Sequence, residues 1–180
     1  MNSTGIVRRI DELGRVVIPK EIRKTLRINE GDPLEINALE NTLTLKKFSP
    51  VNSAMQFASC IADSVKEIMG KSIYITDTDV VLCVAGVKKD AVGKQISTHL
   101  EKLMYERKNE LNSRAKGEKI LPIYNGEEIV YDNQIIIPIV SNGDLDGSVV
   151  ICDKQADKSI DECSVKLCQL LATILSKQFE

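Results

Sequence analysis

The sequence predicts an α+β protein in two parts, a small β-rich head over residues 1–50 and a larger α+β part behind it. Three observations carry this. Short runs rich in β-branched residues, separated by turn residues, occur in the head and again in the second part. Two segments, 54–69 and 160–179, repeat apolar residues at spacings of three and four, as helices do. The charge is also divided. Residues 6–27 hold seven basic groups against three acidic ones, whereas residues 51–180 hold fifteen against nineteen.

In the head, Gly5–Ile10 and Arg15–Ile18 read as strands on either side of a polar Asp-Glu-Leu-Gly turn. Pro19 ends the second strand and suits the first turn of a helix over Lys20–Leu26. Glu21 near its start and Lys24 and Arg27 near its end agree with the helix dipole. Gly31-Asp32 is a turn and Pro33 restarts an extended segment. Leu34, Ile36, Leu43 and Leu45 then alternate with polar residues across Glu40-Asn41. The expectation is two hairpins joined by a helical turn. No aromatic residue precedes Phe48, and no cysteine lies before position 60 to staple so small a unit. Such a unit is marginal alone and calls for a partner chain, most simply a second copy.

Residues 49–53, Ser-Pro-Val-Asn-Ser, read as the boundary. A helix follows, with Ala54, Ala58, Ile61, Val65 and Ile68 as a heptad-like seam and Gly70 as its end. Ser72–Thr76 and Val80–Ala85 form a hairpin, and Gly93–Lys108 reads as helix. Ile120–Tyr124 and Ile129–Tyr131 are short strand candidates within a polar run from Lys116 to Asn133. That run reads as a mobile connection, with a loop over a ligand pocket as the alternative. Gln134–Val140 and Leu145–Cys152 are strong strands around Ser-Asn-Gly-Asp. Pro138 makes the first of them an edge or gives it a bulge. In the last helix, Ile160–Phe179, one stripe runs through 160, 163, 167, 170 and 174 and a second through Cys168, Leu171 and Leu175. Two stripes imply two neighbours, the sheet and another helix.

Composition and motifs exclude several functions. Hydrophobic residues are 43% and charged residues 28%, an ordinary globular balance. The longest apolar runs are far short of the ~20 residues that cross a membrane, and MNSTGIVRRIDE has no secretory features. Five cysteines without a CxxC pair suggest neither a disulfide framework nor a zinc site, so a cytoplasmic location is expected. His99 is the single histidine and reads as a surface or packing residue. Asp77-Thr78-Asp79 reads as a plain turn, because Val80, Val81 and Leu82 follow it. There is no nucleophile elbow, Walker loop or GxGxxG. No catalytic residue, metal site or cofactor is expected. What stands out is arginine: Arg8, Arg9, Arg15, Arg23 and Arg27 are five of the seven in the chain. Arginine is the side chain best shaped for phosphate and guanine edges.

The segment over residues 4–23, Thr-Gly-Ile-Val-Arg-Arg-Ile-Asp-Glu-Leu-Gly-Arg-Val-Val-Ile-Pro-Lys-Glu-Ile-Arg, resembles the AbrB family of transition-state regulators, and the resemblance runs over residues 1–50. It implies a swapped-hairpin β domain that dimerises by interleaving hairpins and binds double-stranded, AT-rich DNA with low base specificity. The family's DNA-contacting positions fall on Arg8, Arg15, Arg23 and Lys24, with Arg9 and Arg27 as weaker additions. Lys24 stands where arginine is usual, so it keeps the charge and loses the bidentate geometry. The second part resembles a GAF sensor domain in its element order. The whole chain is similar to sporulation regulators of this family.

The resemblance thus implies an α+β chain with a DNA-binding domain over 1–50, a linker over 51–55 and a GAF-like α/β domain over 56–180. It implies a transcription regulator of late, forespore-type genes. Dimerisation is expected through residues 1–50, and a tetramer through the helices at 54–69 and 160–179. A small-molecule ligand of unknown identity is held open for the GAF-like part. The alternative is an antitoxin-like protein-interaction module with the same hairpin fold.

Overall fold

The computed structural model describes residues 6–48, 55–87, 89–155 and 160–178. The chain divides into two compact units, Met1–Phe48 and Ser49–Glu180.

In the first unit, Pro19 caps α1 (Lys20–Thr25) at φ −57°, a position where its missing N–H costs nothing. The helix closes with Arg27 at φ 51°, its N–H on the Lys24 carbonyl at 3.3 Å, and the Ile28 N–H on the Arg23 carbonyl at 2.8 Å. This is a Schellman closure, with arginine where glycine is usual. Strands β1 (Leu34–Leu39) and β2 (Thr42–Lys47) pair antiparallel around Glu40-Asn41, with Glu40 at φ 49°. The hairpin expected from 5–10 and 15–18 does not form within the described residues. Over 6–18 the backbone is irregular, and its internal backbone bonds are Asp11 N–H to Arg15 O and Gly14 N–H to Asp11 O. A strand is defined by what it pairs with, and neither run has a partner strand among the described residues.

The second unit is α2 (Met55–Met69), β3 (Ser72–Thr76), β4 (Val81–Ala85), α3 (Thr98–Tyr105), β5 (Glu110–Ser113), β6 (Asn133–Ser141), β7 (Asp144–Asp153) and α4 (Glu162–Gln178). The five strands form an antiparallel sheet in the order β4-β3-β7-β6-β5. Alternation along the strands separates two cores. Ile73, Ile75, Ile135, Ile137, Val149 and Ile151 pack with α2 and α4. Tyr74, Ile136, Val150 and Cys152 pack with α3 and the long connections on the other face.

The helical seams split. Ala58, Ala62 and Val65 of α2 are buried, whereas Ile68 is 82% exposed. In α4 the stripe through Cys168, Leu171 and Leu175 is buried, and Leu170 and Ile174 of the other stripe are exposed. Asn142 (φ 48°) and Gly143 (φ 91°) turn β6 into β7. Beyond its short pairing with β5, which covers 133–136, β6 is an edge at Pro138, and the register shifts between Ile139 and Val140. Edge and irregularity both accommodate the proline.

Two sequence expectations need correction here. The helix read over 93–108 is shorter, because residues 93–96 are tied into strand-like contacts. Gly93 N–H bonds Val81 O, Val81 N–H bonds Lys94 O, and Ile96 bridges Tyr124. Ser97 then caps α3, its side chain accepting the Leu100 N–H at 3.1 Å. The third strand partner is β5 at 110–113, not the runs at 120–124 or 129–131. Those runs cross the sheet face, burying Ile120, Ile123 and Tyr131.

One ion cluster fastens the unit. Lys71 Nζ lies 2.8 Å from Asp153 Oδ2 and 2.6 Å from Asp161 Oδ2. Asp161 also accepts the Ser164 N–H at 2.7 Å as the cap of α4. Burial alone would lower the Lys71 ammonium, but its bonds to Asp153 and Asp161 leave it raised. The bond from Lys71 in turn holds the Asp161 carboxyl at about 2.

Candidate nucleic-acid interface

The DELGR turn is organised by its first residue. Asp11 Oδ1 accepts the N–H groups of Leu13 at 3.0 Å and Arg15 at 2.8 Å, while Oδ2 accepts Arg15 Nε at 2.7 Å. Gly14, at φ 76°, supplies the left-handed residue that the turn requires. The backbone bond from Arg15, followed by its side-chain bond, holds the Asp11 carboxyl below its usual range. Arg15 is therefore oriented, yet its side chain is 71% exposed. Sequence reading named Arg15 and missed Asp11 as its holder, although their i,i+4 spacing was visible.

The other cations sit on different elements. Arg23 and Lys24 occupy the last turn of α1 and are exposed, as are Arg8 and Arg9. Arg8 lines an apolar cleft of about 340 Å³ together with Val16, Val17, Ile22 and Leu45. That cleft brings both irregular runs, α1 and β2 together, so Arg8 stands beside the helix that carries Arg23 and Lys24. Arg27 differs from the rest. It is half-buried and holds the left-handed position after α1.

His99 is exposed on α3. Cys60 and Cys163 are exposed, and Cys83, Cys152 and Cys168 are buried. Burial pushes those three thiols up, Cys83 to about 11, so they are poor nucleophiles at neutral pH. Asp77 Oδ1 accepts the N–H groups of Asp79 and Val80, both at 2.7 Å, and so builds the β3–β4 turn. No helix of the described residues is long and apolar enough to cross a membrane.

A basic hairpin-and-helix head is thus followed by a folded α+β unit. The fold of the second unit is that of GAF domains. The GAF domain of an Acinetobacter phosphoenolpyruvate-protein phosphotransferase matches with a TM-score of 0.55 at 18% identity, over 74% of this chain and 83% of that one. A type II free methionine-R-sulfoxide reductase from Thermoplasma acidophilum matches with a TM-score of 0.55 at 14% identity, over 72% of this chain and 94% of that one.

The family profile described as "Stage V sporulation protein T C-terminal, transcription factor" matches residues 54–180, and one described as "Antidote-toxin recognition MazE, bacterial antitoxin" matches residues 7–53. Stage V sporulation protein T of Bacillus subtilis (strain 168) is 45% identical over 182 residues, covering 100% of this chain and 99% of that protein. The transition state regulatory protein AbrB of the same organism is 45% identical over 76 residues, covering 42% of this chain and 78% of that protein. The chain belongs to the stage V sporulation protein T family. It is a sporulation transcription regulator, not an enzyme, with an AbrB-like head and a GAF-like second unit.

Proposed function

We propose that residues 1–50 bind AT-rich double-stranded DNA with low base specificity, as a swapped-hairpin dimer. Residues 51–55 are the linker, and residues 56–180 are the regulatory and oligomerisation domain. Arg8, Arg15, Arg23 and Lys24 contact phosphate, with smaller contributions from Arg9 and Arg27. The helices at 54–69 and 160–179 join dimers into tetramers, and the protein acts in the cytoplasm, as activator or repressor.

The observation that carries this reading is the state of the head. Eleven large hydrophobic residues between Ile6 and Phe48 are exposed in the single chain, and Pro19 is its one buried residue among those described. Two-stranded sheets do not stand alone in water. A second copy would cover those residues and would double the cations. The exposed Leu170 and Ile174 of α4 support association of the second unit in the same way.

The test is fluorescence anisotropy of the full chain on a labelled AT-rich duplex between about 50 and 200 mM salt, alongside Arg15→Ala and Arg23→Ala. The expected log–log slope is steeper than about −4, with weaker binding in both variants. The match of residues 7–53 to the antitoxin profile favours one second reading, a protein-interaction module. A folded oligomer that fails to bind DNA at the lowest salt would overturn the first reading in favour of that one.

A further inference from the structure

On the sheet face that carries α3, β3, the connection after β4 and the crossing before β6 enclose a cleft of about 580 Å³. This is within the ordinary size range of small-molecule sites. Three of the chain's four tyrosines, Tyr74, Tyr124 and Tyr131, line it. The hydroxyls of Tyr131 and Tyr74 lie 2.6 Å apart, and Tyr74 donates to Glu127 Oε1 at 2.9 Å. Glu127 Oε2 accepts the Ile123 N–H at 2.6 Å. With the Tyr74 proton committed to Glu127, Tyr131 donates to Tyr74. Burial pushes the Tyr131 hydroxyl up to about 12 and Tyr74 up as well, so both stay protonated at neutral pH. Negative charge in this chain of bonds belongs to Glu127.

Glu127 is half-buried, and its bonded partners are neutral donors. Lys94 acts on it only through space. The Lys94 ammonium lies 4.7 Å from the centroid of the Tyr124 ring and 3.5 Å from Asp90 Oδ2, and Lys154 lines the same cleft as an exposed residue. A carboxylate drawn out of water among aromatic rings favours an organic cation. A purely anionic ligand would face Glu127, and a neutral one would bury that charge further without compensation. The two lysines at the rim answer an anionic group on the same molecule.

We propose that this cleft binds a small zwitterion, an organic ammonium compound with a carboxylate or phosphate a few bonds away. The ammonium sits against Glu127 and the tyrosine rings, and the anion reaches Lys94 and Lys154. The proposal deepens the reading of residues 56–180 as a regulatory domain and rests on it.

The test uses the full chain in isothermal titration and thermal-shift measurements with three probes. These are an equimolar mixture of neutral α-amino acids, phosphoethanolamine, and the N-acetylated forms of both. The expected result is saturable binding of at least one of the first two, abolished by N-acetylation and weakened at least tenfold in Glu127→Gln. Lys94→Met should weaken it severalfold, and it serves as the second variant should Glu127→Gln fail to fold. The amino-acid and phosphoethanolamine arms decide which anion is read.

No binding of either probe at about 10 mM, where even a Kd near 1 mM would be saturated, overturns the proposal. So does binding that survives acetylation or the loss of the Glu127 charge. DNA anisotropy on the same sample keeps the two readings apart. DNA binding without zwitterion binding sinks only the cleft, and loss of DNA binding sinks the proposed DNA contact of residues 1–50.

Discussion

Ile36 and Ile136 are both isoleucines in antiparallel strands, yet Ile36 is 62% exposed and Ile136 is 1% exposed. The difference lies in their surroundings. Ile136 sits in a strand flanked by β5 and β7, in the core shared with α3. Ile36 belongs to a two-stranded sheet with β2 as its one neighbour. The same alternation of apolar and polar residues thus gives a finished core in one unit and an open surface in the other. Patterning specifies which face is sticky, while burial is a property of the assembly that covers it.

The comparison can be broken first in the finished unit. Gly147 lies where β7 passes the end of β3, and an added Cβ would fall 1.9 Å from the Thr76 carbonyl oxygen and 2.9 Å from Asp77 Cα. Both are backbone atoms, so no side chain can move aside. Gly147→Ala should cost about 4 kcal/mol or more, beyond the usual penalty for overpacking. Gly143→Ala, which meets open space but carries φ 91°, should cost only about 1–2 kcal/mol. Urea unfolding of the two variants checks the ranking, and similar midpoints would show that the β3–β7 contact is not tight.

Lys71 gives the next effect. Lys71→Met leaves Asp153, 11% exposed at its side chain, without its cation. Removing one partner of a buried pair typically costs about 3 kcal/mol, near 10 °C in Tm for a unit of this size. Asp161 has a depressed folded pKa of about 2, so its stabilisation is present above its ordinary value of 3.8 and is lost as pH falls from there towards 2. Lys71 has a raised pKa, so its share is complete below its ordinary 10.5 and fades at higher pH. Calorimetry at pH 7 and near pH 3 should show the wild-type chain losing Tm on acidification and Lys71→Met losing less. Parallel acid losses would remove the cluster from the account.

The open unit responds differently. Val17 is 75% exposed in the single chain. Were that surface simply solvated, Val17→Ser would stay within about 0.5 kcal/mol of wild type. Under a second copy it should cost about 2 kcal/mol from lost apolar burial. The transition of the head should then move with protein concentration. Calorimetry at two concentrations decides, and a concentration-independent head would refute the shared core.

Legibility in the sequence followed the same division. The helices at 55–69 and 162–178, and the β3–β4 and β6–β7 hairpins, were readable because period and turn chemistry agreed locally. β5, Glu-Leu-Asn-Ser, has almost no strand propensity and is held by pairing with β6. The runs at 6–10 and 15–18 have strong strand propensity and no partner strand among the described residues. Both misreadings are failures of local signal to report pairing. Among the cations, Arg8, Arg15, Arg23 and Lys24 are expected from the resemblance over residues 1–50, and their contact with DNA is a proposal. The cleft of Tyr74, Glu127 and Tyr131 could not be read in the sequence, because Tyr74 lies 53 positions from Glu127 and 57 from Tyr131 and meets them only after the sheet forms.

The smallest expected effect separates two arginines that sequence alone ranks close together. Each phosphate contact removed should reduce the salt slope by about one. Arg23 is exposed on the last turn of α1, so Arg23→Ala should show that reduction, doubled if both copies bind. Arg27 is half-buried and closes the helix at φ 51°. Arg27→Ala should therefore change the salt slope by less than half as much and appear mainly as a lower melting transition of the head. Anisotropy across the salt series, with calorimetry on the same preparations, measures both. Equal slope changes in the two variants would put Arg27 on the DNA and would mean that its side chain leaves the head when DNA binds.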